Sequence, residues 1–224
     1  MKISILIPAF NEQKAIGQIV SNIKAKGLDV IVIDDGSADR TAVIAGDHGA
    51  IVLRNEKNRG KGASLQRGFE HIAKWGYDGV IIMDGDGQHD VEDIPQFINE
   101  FERSKPGIVQ GNRMENHKGM PFVRLMTNWF MSWILSCVCK QRIPDSQCGF
   151  RLISSEVLKE IHLQCENFEI DSEILIQSSR KGFKITSVPV KTIYQDEKSK
   201  VNPVSDTVRF FSYILREVFF RKSH

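Results

Sequence analysis

Short apolar runs alternate with helical patterns through the first half of the chain. Residues 3–7 (ISILI) and 30–33 (VIVI) are unbroken and rich in β-branched side chains, as strands covered on both faces require. Between them Ile16, Ile19, Val20 and Ile23 recur at helical spacing within 12–26, and Gly27 follows as a stop. The same pattern predicts strands at 50–53 and 79–83 (GVIIM), helices over 63–75 and from Asp90 towards Glu102, and a further strand at 108–110. Ser37 or Asp39 is placed to cap the helix after the second strand. Strand and helix in alternation predict an α/β fold with a mostly parallel sheet flanked by helices. No internal repeat or long linker interrupts 1–224, which reads as one domain. The polar stretches 114–120 and 195–203 read as loops beside a site.

Composition narrows the classes. A chain of 224 residues, 41% hydrophobic and 26% charged, can bury a sizeable core and is not a disordered one. Its 30 basic and 28 acidic residues leave a net charge of +2, and no basic run resembles a nucleic-acid arm, so no nucleic-acid partner is expected. Cys137, Cys139, Cys148 and Cys165 show neither CxxC nor zinc spacing, which suits a reduced, cytoplasmic chain. The N-terminal apolar run of about six residues is shorter than the ~7–15 of an export signal. The nearest approach to a membrane span is 125–139, interrupted by Thr127 and Asn128 and stopped at Lys140, short of the ~18 apolar residues required. The expectation is a protein that is soluble or lies on a membrane without crossing it.

The candidate chemistry sits where acidic residues follow strands. VIVI ends in Asp34-Asp35-Gly36-Ser37 and GVIIM in Asp84-Gly85-Asp86-Gly87-Gln88-His89. Ligands of open α/β sheets bind beyond the carboxyl ends of strands, so both clusters face one crevice. Their repulsion has a cost unless a cation or hydrogen-bond donors are present. Asp84 and Asp86, separated by one glycine, can aim hard oxygens at one point, with Gln88 as a third; Mg²⁺ or Mn²⁺ suits such ligands and also binds diphosphate. Asp-Gly repeats are equally ordinary turn residues. There is no P-loop, Gly60-Lys61-Gly62 lacks the third glycine of a dinucleotide fingerprint, and Pro95 stands where a calcium loop would close with glutamate.

In order along the chain come PAFNE (8–12), IDDGS (33–37), NRGKG (58–62), DGDGQH (84–89), GNR (111–113), DSQCGFR (145–151), FEIDSEIL (168–175) and EKSKVNP (197–203). Together they resemble the family-2 glycosyltransferases of the GT-A fold, particularly the dolichyl- or polyprenyl-phosphate mannosyl- and glucosyltransferases. The resemblance implies a single-domain, Rossmann-like GT-A fold. Residues 1–113 would bind the nucleotide sugar, and 114–224 would bind the acceptor and carry interfacial helices. It implies nucleoside contacts from Pro8, Phe10, Glu12, Ile33 and Asp35. It further implies a metal on Asp84, Asp86 and Gln88 with Gly85 between the carboxylates, Arg113 near the diphosphate and acceptor phosphate, and Lys200 on a loop closing over the donor.

The implied activity is metal-dependent, inverting transfer of a hexose from GDP-mannose or UDP-glucose to a polyprenyl phosphate. Tyr194 stands where many lipid-phosphate mannosyltransferases carry arginine, with Asp196 and Glu197 following, which leaves the donor open. Asp145 is the candidate for base or acceptor positioning, or else a turn cap after Pro144. Glu169 and Asp171 are alternative acids or the first turn of a helix. Arg151 is expected to anchor its loop. Arg124 could meet the acceptor phosphate or be a solvated flanking charge.

Two apolar stripes, Met126, Trp129, Phe130, Trp133, Ile134 and Val138, and Phe211, Ile214, Leu215, Val218 and Phe219, suit either a membrane surface or a packed core. The expected location is the cytoplasmic face of a membrane, with a homodimer or membrane-protein partner also compatible. The rival readings are a GT-A transferase with a soluble hydroxyl acceptor, a sugar-phosphate nucleotidyltransferase, whose N-terminal glycine- and arginine-rich loop is replaced here by PAFNE, and a non-catalytic binding protein.

Overall fold

The computed structural model describes residues 1–116, 120–191, 193 and 203–217, with Asn116 and 203–208 described through their backbone. The first strand, β1 (Ile3–Ala9), pairs in parallel with β2 (Asp29–Asp34), which pairs in parallel with β3 (Ile51–Arg54); α1 (Ile16–Ala25) and α2 (Thr41–Asp47) make the connections. Helix α3 (Lys61–Ala73) returns the chain to β4 (Gly79–Ile82), parallel to β1 on its other side. Then follow α4 (Ile94–Ser104), β5 (Ile108–Asn112), α5 (Phe122–Cys139), β6 (Arg151–Ser154), α6 (Ser155–Glu160), α7 (Ile170–Arg180), β7 (Ile185–Pro189) and α8 (Pro203–Leu215). The seven strands form one sheet in the order β3-β2-β1-β4-β6-β5-β7. Only β6 runs against its neighbours, β4 and β5. A parallel β5–β7 pair completes the far edge.

Alternation along each strand divides the core into two layers. Leu6, Ile31, Ile33, Val80, Ile82 and Ile153 face one side, covered by Leu65 and Phe69 of α3, Leu135 of α5, Ile174 of α7 and Phe210 of α8. Ile5, Ile7, Val32, Ile81 and Leu152 face the other, under Ile16 and Val20 of α1 and Phe97 of α4.

Several boundaries move from their sequence expectations. The first helix begins at Ile16, because the Glu12 carbonyl turns the chain by accepting from Ala15 and Ile16. Asp90 opens a 3-10 turn, accepting from the Glu92 N–H at 2.9 Å, before α4 starts at Ile94. Asp39 accepts from the Thr41 N–H at 2.9 Å at the start of α2, whereas the Ser37 hydroxyl serves the Asn11 N–H. Strands β6 and β7 follow no signal that the apolar pattern provided. β6 is a four-residue strand opening on an arginine.

Helix α5 corrects two expectations. It is an 18-residue helix of mean hydropathy 1.3, long and apolar enough by length and composition to cross a membrane, with 28% of it buried. Two of its polar residues face inward, Asn128 and Ser132, while Thr127 is exposed along with Phe122, Val123, Met126, Trp129, Phe130 and Trp133. Ile134 and Val138 pack against the core instead of joining that outer face. In α8 the buried stripe is Phe210, Tyr213 and Ile214; Leu215 is exposed, Phe211 packs at the core's edge, and Val218 and Phe219 lie outside the described residues.

Candidate active site

Because β1, β2 and β4 are parallel, their carboxyl ends meet along one edge of the sheet. Pro8 lies in register with Ile33 across β1 and β2, and Pro8 and Phe10 are half-buried where the chain leaves β1. Glu12 is buried, its N–H donating to the Thr41 hydroxyl at 2.8 Å. The loop after β4 packs on this turn: a Cβ on Gly85 would stand 3.3 Å from Cγ of Glu12 and 3.4 Å from Cβ of Ala9.

Two of the residues that the resemblance places at the nucleoside are buried in the fold. Ile33 is fully buried in the sheet core, so its side chain has no surface to offer a ligand. Asp35 is buried with both oxygens engaged: Oδ1 accepts from Asn55 Nδ2 at 2.7 Å and the Arg59 N–H at 2.9 Å, and Oδ2 from the Gly60 N–H at 2.9 Å. It shapes the NRGKG loop. Gly36 is required beside it, with φ +72° and a Cβ position 2.6 Å from the Lys57 carbonyl carbon.

The loop held by Asp35 places Lys61 at the start of α3, between two carboxylates. Its Nζ lies 2.9 Å from Asp84 Oδ1 and 3.3 Å from Asp171 Oδ2. Burial pulls the Lys61 pKa down, but Asp171 and Asp84 more than offset this, and the ammonium is held charged. Burial likewise opposes ionisation of Asp84. Lys61, His89 and Arg113 outweigh it, holding the carboxyl well below the usual carboxylate range. Asp86 goes the other way, raised by burial and by the Asp84 charge.

The Gln88 N–H donates to Asp86 Oδ1 at 3.0 Å, so the described contact of Gln88 with the acidic pair runs through its backbone. His89 stacks on Phe150 with ring centroids 4.9 Å apart, and its Nδ1 accepts from the Asp84 N–H at 3.2 Å; burial pushes its pKa down. Among the described residues no group of three or more histidine, cysteine or acidic side chains is arranged to hold a metal. Asp84 and Asp86 form a pair of hard-oxygen donors whose mutual repulsion a divalent cation would relieve. They fit Mg²⁺ or Mn²⁺ completed by water and phosphate oxygens.

Several residues of this cluster escaped the apolar and acidic patterns. Arg151 is fully buried at the start of β6; Nη1 donates to the Asp171 carbonyl at 2.8 Å, Nη2 to the Cys148 carbonyl at 2.9 Å, and Nη2 lies 3.2 Å from Asp171 Oδ1. A Cβ on Gly149 would stand 2.8 Å from Asp84 Oδ2 and 2.9 Å from Lys61 Nζ, so the backbone there approaches both charged ends closely, and a side chain would displace them. The signal for Lys61 was the NRGKG loop itself, which a search for dinucleotide glycines passes over.

Arg113 and Asp145 form a second buried pair. The Arg113 N–H and Nε donate to Asp145 Oδ2 at 3.0 and 2.7 Å, and Nη2 to Oδ1 at 2.9 Å. Asn128 Nδ2 and the Gln147 N–H add to Oδ1 at 2.9 and 3.2 Å. Burial disfavours the Asp145 charge, but Arg113 and Asn128 lower its pKa. Every lone-pair direction of Asp145 is taken, and a carboxylate so stabilised is a poor proton acceptor. Asp145 positions Arg113, whose charge in turn reaches Asp84. Arg124 is exposed on the first turn of α5, and no contact joins it to the carboxylate cluster among the described residues. Lys200, and with it Tyr194, Asp196 and Glu197, lies outside the described residues.

A sheet of this order, with acidic clusters at the ends of β2 and β4, defines a GT-A glycosyltransferase fold. The family model for glycosyl transferase family 2 matches residues 4–162. An uncharacterized protein of Methanocaldococcus jannaschii is 32% identical over 97% of this chain and 93% of its own length. The UDP-N-acetylglucosamine–dolichyl-phosphate N-acetylglucosaminyltransferase of Methanococcus voltae is 30% identical over 87% of this chain and 86% of its own. Glucosyl-3-phosphoglycerate synthase of Mycobacterium tuberculosis, solved with Mn²⁺, UDP-glucose and phosphoglyceric acid, is 20% identical. It superimposes with a TM-score of 0.76 over 96% of this chain and 79% of that one. The chain belongs to glycosyl transferase family 2 and is a glycosyltransferase.

Proposed function

We propose that this glycosyltransferase moves a hexosyl group, with inversion, from a nucleoside diphosphate sugar to a polyprenyl phosphate at the cytoplasmic face of a membrane. Asp84 and Asp86 would hold Mg²⁺ or Mn²⁺ in this reading. The observation that carries it is the state of two candidate acids, Asp145 and Asp171. Asp145 is saturated by Arg113, Asn128 and Gln147, and Asp171 is clamped between Lys61 and Arg151. A hydroxyl acceptor needs a base, whereas a phosphate monoester is already anionic at pH 7 and needs cationic positioning. The dolichyl-phosphate acceptor in the name of the Methanococcus voltae relative supports the lipid, and the Mn²⁺ and UDP-glucose in the synthase structure support a metal with a uridine donor.

When bound, the divalent ion supplies Lewis-acid stabilisation of the departing diphosphate. The chain's own residues do the rest. Lys61 adds positive charge beside Asp84, with its position set by Asp171. Arg113 presents a guanidinium locked against rotation by Asp145, ready to orient the attacking phosphate oxygen opposite the leaving group. Gly149, just before β6, brings the backbone close against Asp84 and Lys61. Helix α5 turns Trp129, Trp133 and Phe130 outward, with Arg124 near its start and Lys140 at its end, a face suited to the head-group region of a bilayer.

The test is transfer of labelled sugar from UDP-N-acetylglucosamine, UDP-glucose and GDP-mannose, each alone, to a polyprenyl phosphate in the presence of Mn²⁺. Label extracted into organic solvent and lost in Asp86→Ala supports the reading. Metal-dependent donor turnover whose product stays in water, with phosphoglycerate or a hydroxyl acceptor, overturns the lipid assignment.

A further inference from the structure

The polar residues of α5 are arranged for a purpose that an apolar helix does not need. Asn128, Ser132 and Ser136 lie four residues apart on its inner face, and each bonds the segment 143–146. Asn128 Nδ2 donates to Asp145 Oδ1 at 2.9 Å, the Ser132 hydroxyl accepts from the Ser146 N–H at 2.9 Å, and the Ser136 hydroxyl accepts from the Ile143 N–H at 2.9 Å. The Ser132 hydroxyl also reaches Asn128 Oδ1 at 3.3 Å and Ser146 Oγ at 3.1 Å, so the three rungs form one ladder. Asn128 and Ser132 are buried, and Asp145 and Ser146 are fully so. Both serines accept from backbone N–H groups of that segment. Of the three, Asn128 alone reaches the Asp145 carboxylate, which Arg113 engages through Nε and Nη2.

We propose that Asn128 is a positioning residue for transfer, setting the orientation of Arg113 through Asp145 and tying that guanidinium to the helix with the outward aromatic face. Its amide fills the one flank of Oδ1 left by Arg113 Nη2 and the Gln147 N–H. Without that amide the buried oxygen loses a donor and the carboxylate can rotate, carrying the fork with it. A second contact, from Nδ2 to the Met114 sulfur at 3.3 Å, fixes the amide's own orientation just after Arg113 in the chain. The consequence falls on the acceptor, because Arg113 meets the acceptor phosphate in the function proposed above, on which this inference rests. Donor binding at the ends of β1, β2 and β4 is predicted to be indifferent to it.

The experiment compares the full-length wild type with Asn128→Leu, Asn128→Ser and Ser132→Ala, using Mn²⁺, the active nucleotide sugar and a short polyprenyl phosphate. Asn128→Leu is expected to raise the acceptor KM roughly tenfold or more, the size of one lost hydrogen bond to a charged group, with donor KM and metal-dependent donor hydrolysis within about twofold. Asn128→Ser, which keeps a hydroxyl donor in a smaller side chain, is expected to recover part of the loss. It also stands in if the leucine variant does not fold. Ser132→Ala removes a rung of the same ladder that never touches Asp145, so its thermal shift is expected without the acceptor-specific rise. The positioning role is overturned by an unchanged acceptor KM in a folded Asn128 variant. A parallel rise in both KM values, matched by Ser132→Ala, also overturns it, because the effect is then general loosening. If the wild type itself gives no lipid product, the proposed function fails, and this inference with it.

Discussion

Asp84 and Asp145 are both acids held beside a cation with pKa values driven down, yet they stand in opposite relations to solvent. The Asp145 side chain is 0% exposed and every acceptor direction is filled by the protein. The Asp84 side chain keeps 32% of its surface, with Lys61 on one oxygen and His89 beyond hydrogen-bond range of the other. A carboxylate that the fold satisfies completely belongs to the scaffold, whereas one compensated on a single side leaves room for something brought from outside. Lowered pKa values alone would have put the two in one class. Coordination separates them.

The largest expected effect is on the scaffold member. Asp145→Ala leaves Arg113 buried and unpaired and is expected to cost about 3–5 kcal/mol of stability, read by urea denaturation. Adding Arg113→Met should recover much of this, and non-recovery in the double variant would mean that the pair is not the source. Because the folded pKa of Asp145 is depressed, its stabilisation is present above the ordinary carboxylate pKa of about 4 and lost as pH falls through the lower folded value. The stability gap between wild type and Asp145→Asn should therefore stay constant from neutral pH to about pH 5 and narrow below that.

The site member should behave in reverse. Asp86→Ala is expected to lower kcat/KM by about 10²–10³-fold while leaving the melting temperature near wild type, since its charge is raised in energy by burial and Asp84. A melting temperature that falls with activity would place Asp86 in the scaffold class. Lys61→Met comes next. It leaves Asp84 and Asp171 with one cation fewer and should destabilise the metal-free protein by about 1–3 kcal/mol, part of which millimolar Mn²⁺ restores. Equal destabilisation with and without metal would show that the ammonium and the metal do not share Asp84. The smallest change in stability, within about 0.5 kcal/mol, is expected for Trp133→Ala on the exposed face of α5. Its effect should instead appear as weaker flotation with anionic vesicles, and unchanged flotation would remove that face from the membrane reading.

How much of this was legible in the chain differs between its halves. The strands through β5 could be read from uninterrupted β-branched runs, because a strand covered on both faces has a sequence signature in every residue. Strands β6 and β7 had none: β6 begins at Arg151, whose charge is compensated by Asp171, twenty residues away in sequence. The acidic pair Asp84 and Asp86 was visible as a motif at a strand end. Lys61 between Asp84 and Asp171 was not, since its meaning depends on a carboxylate supplied by α7. Asn128 read as a flaw in an apolar stretch, because helical periodicity reveals which face differs and not which face is buried.

The sequence by itself determined the α/β class, the parallel half-sheet, the acidic clusters at two strand ends and the family resemblance. All of these are written in local pattern and in short motifs of fixed order. The tertiary structure alone decided which acids are spent on the scaffold and which are left for a ligand. It also decided that Asn128 and Ser132 of α5 face inward and that Lys61, Asp84, Asp171 and Arg151 make one network. The reason is physical: burial, ion pairing and pKa are properties of the distance between groups, and those distances exist only once strands far apart in the chain lie side by side.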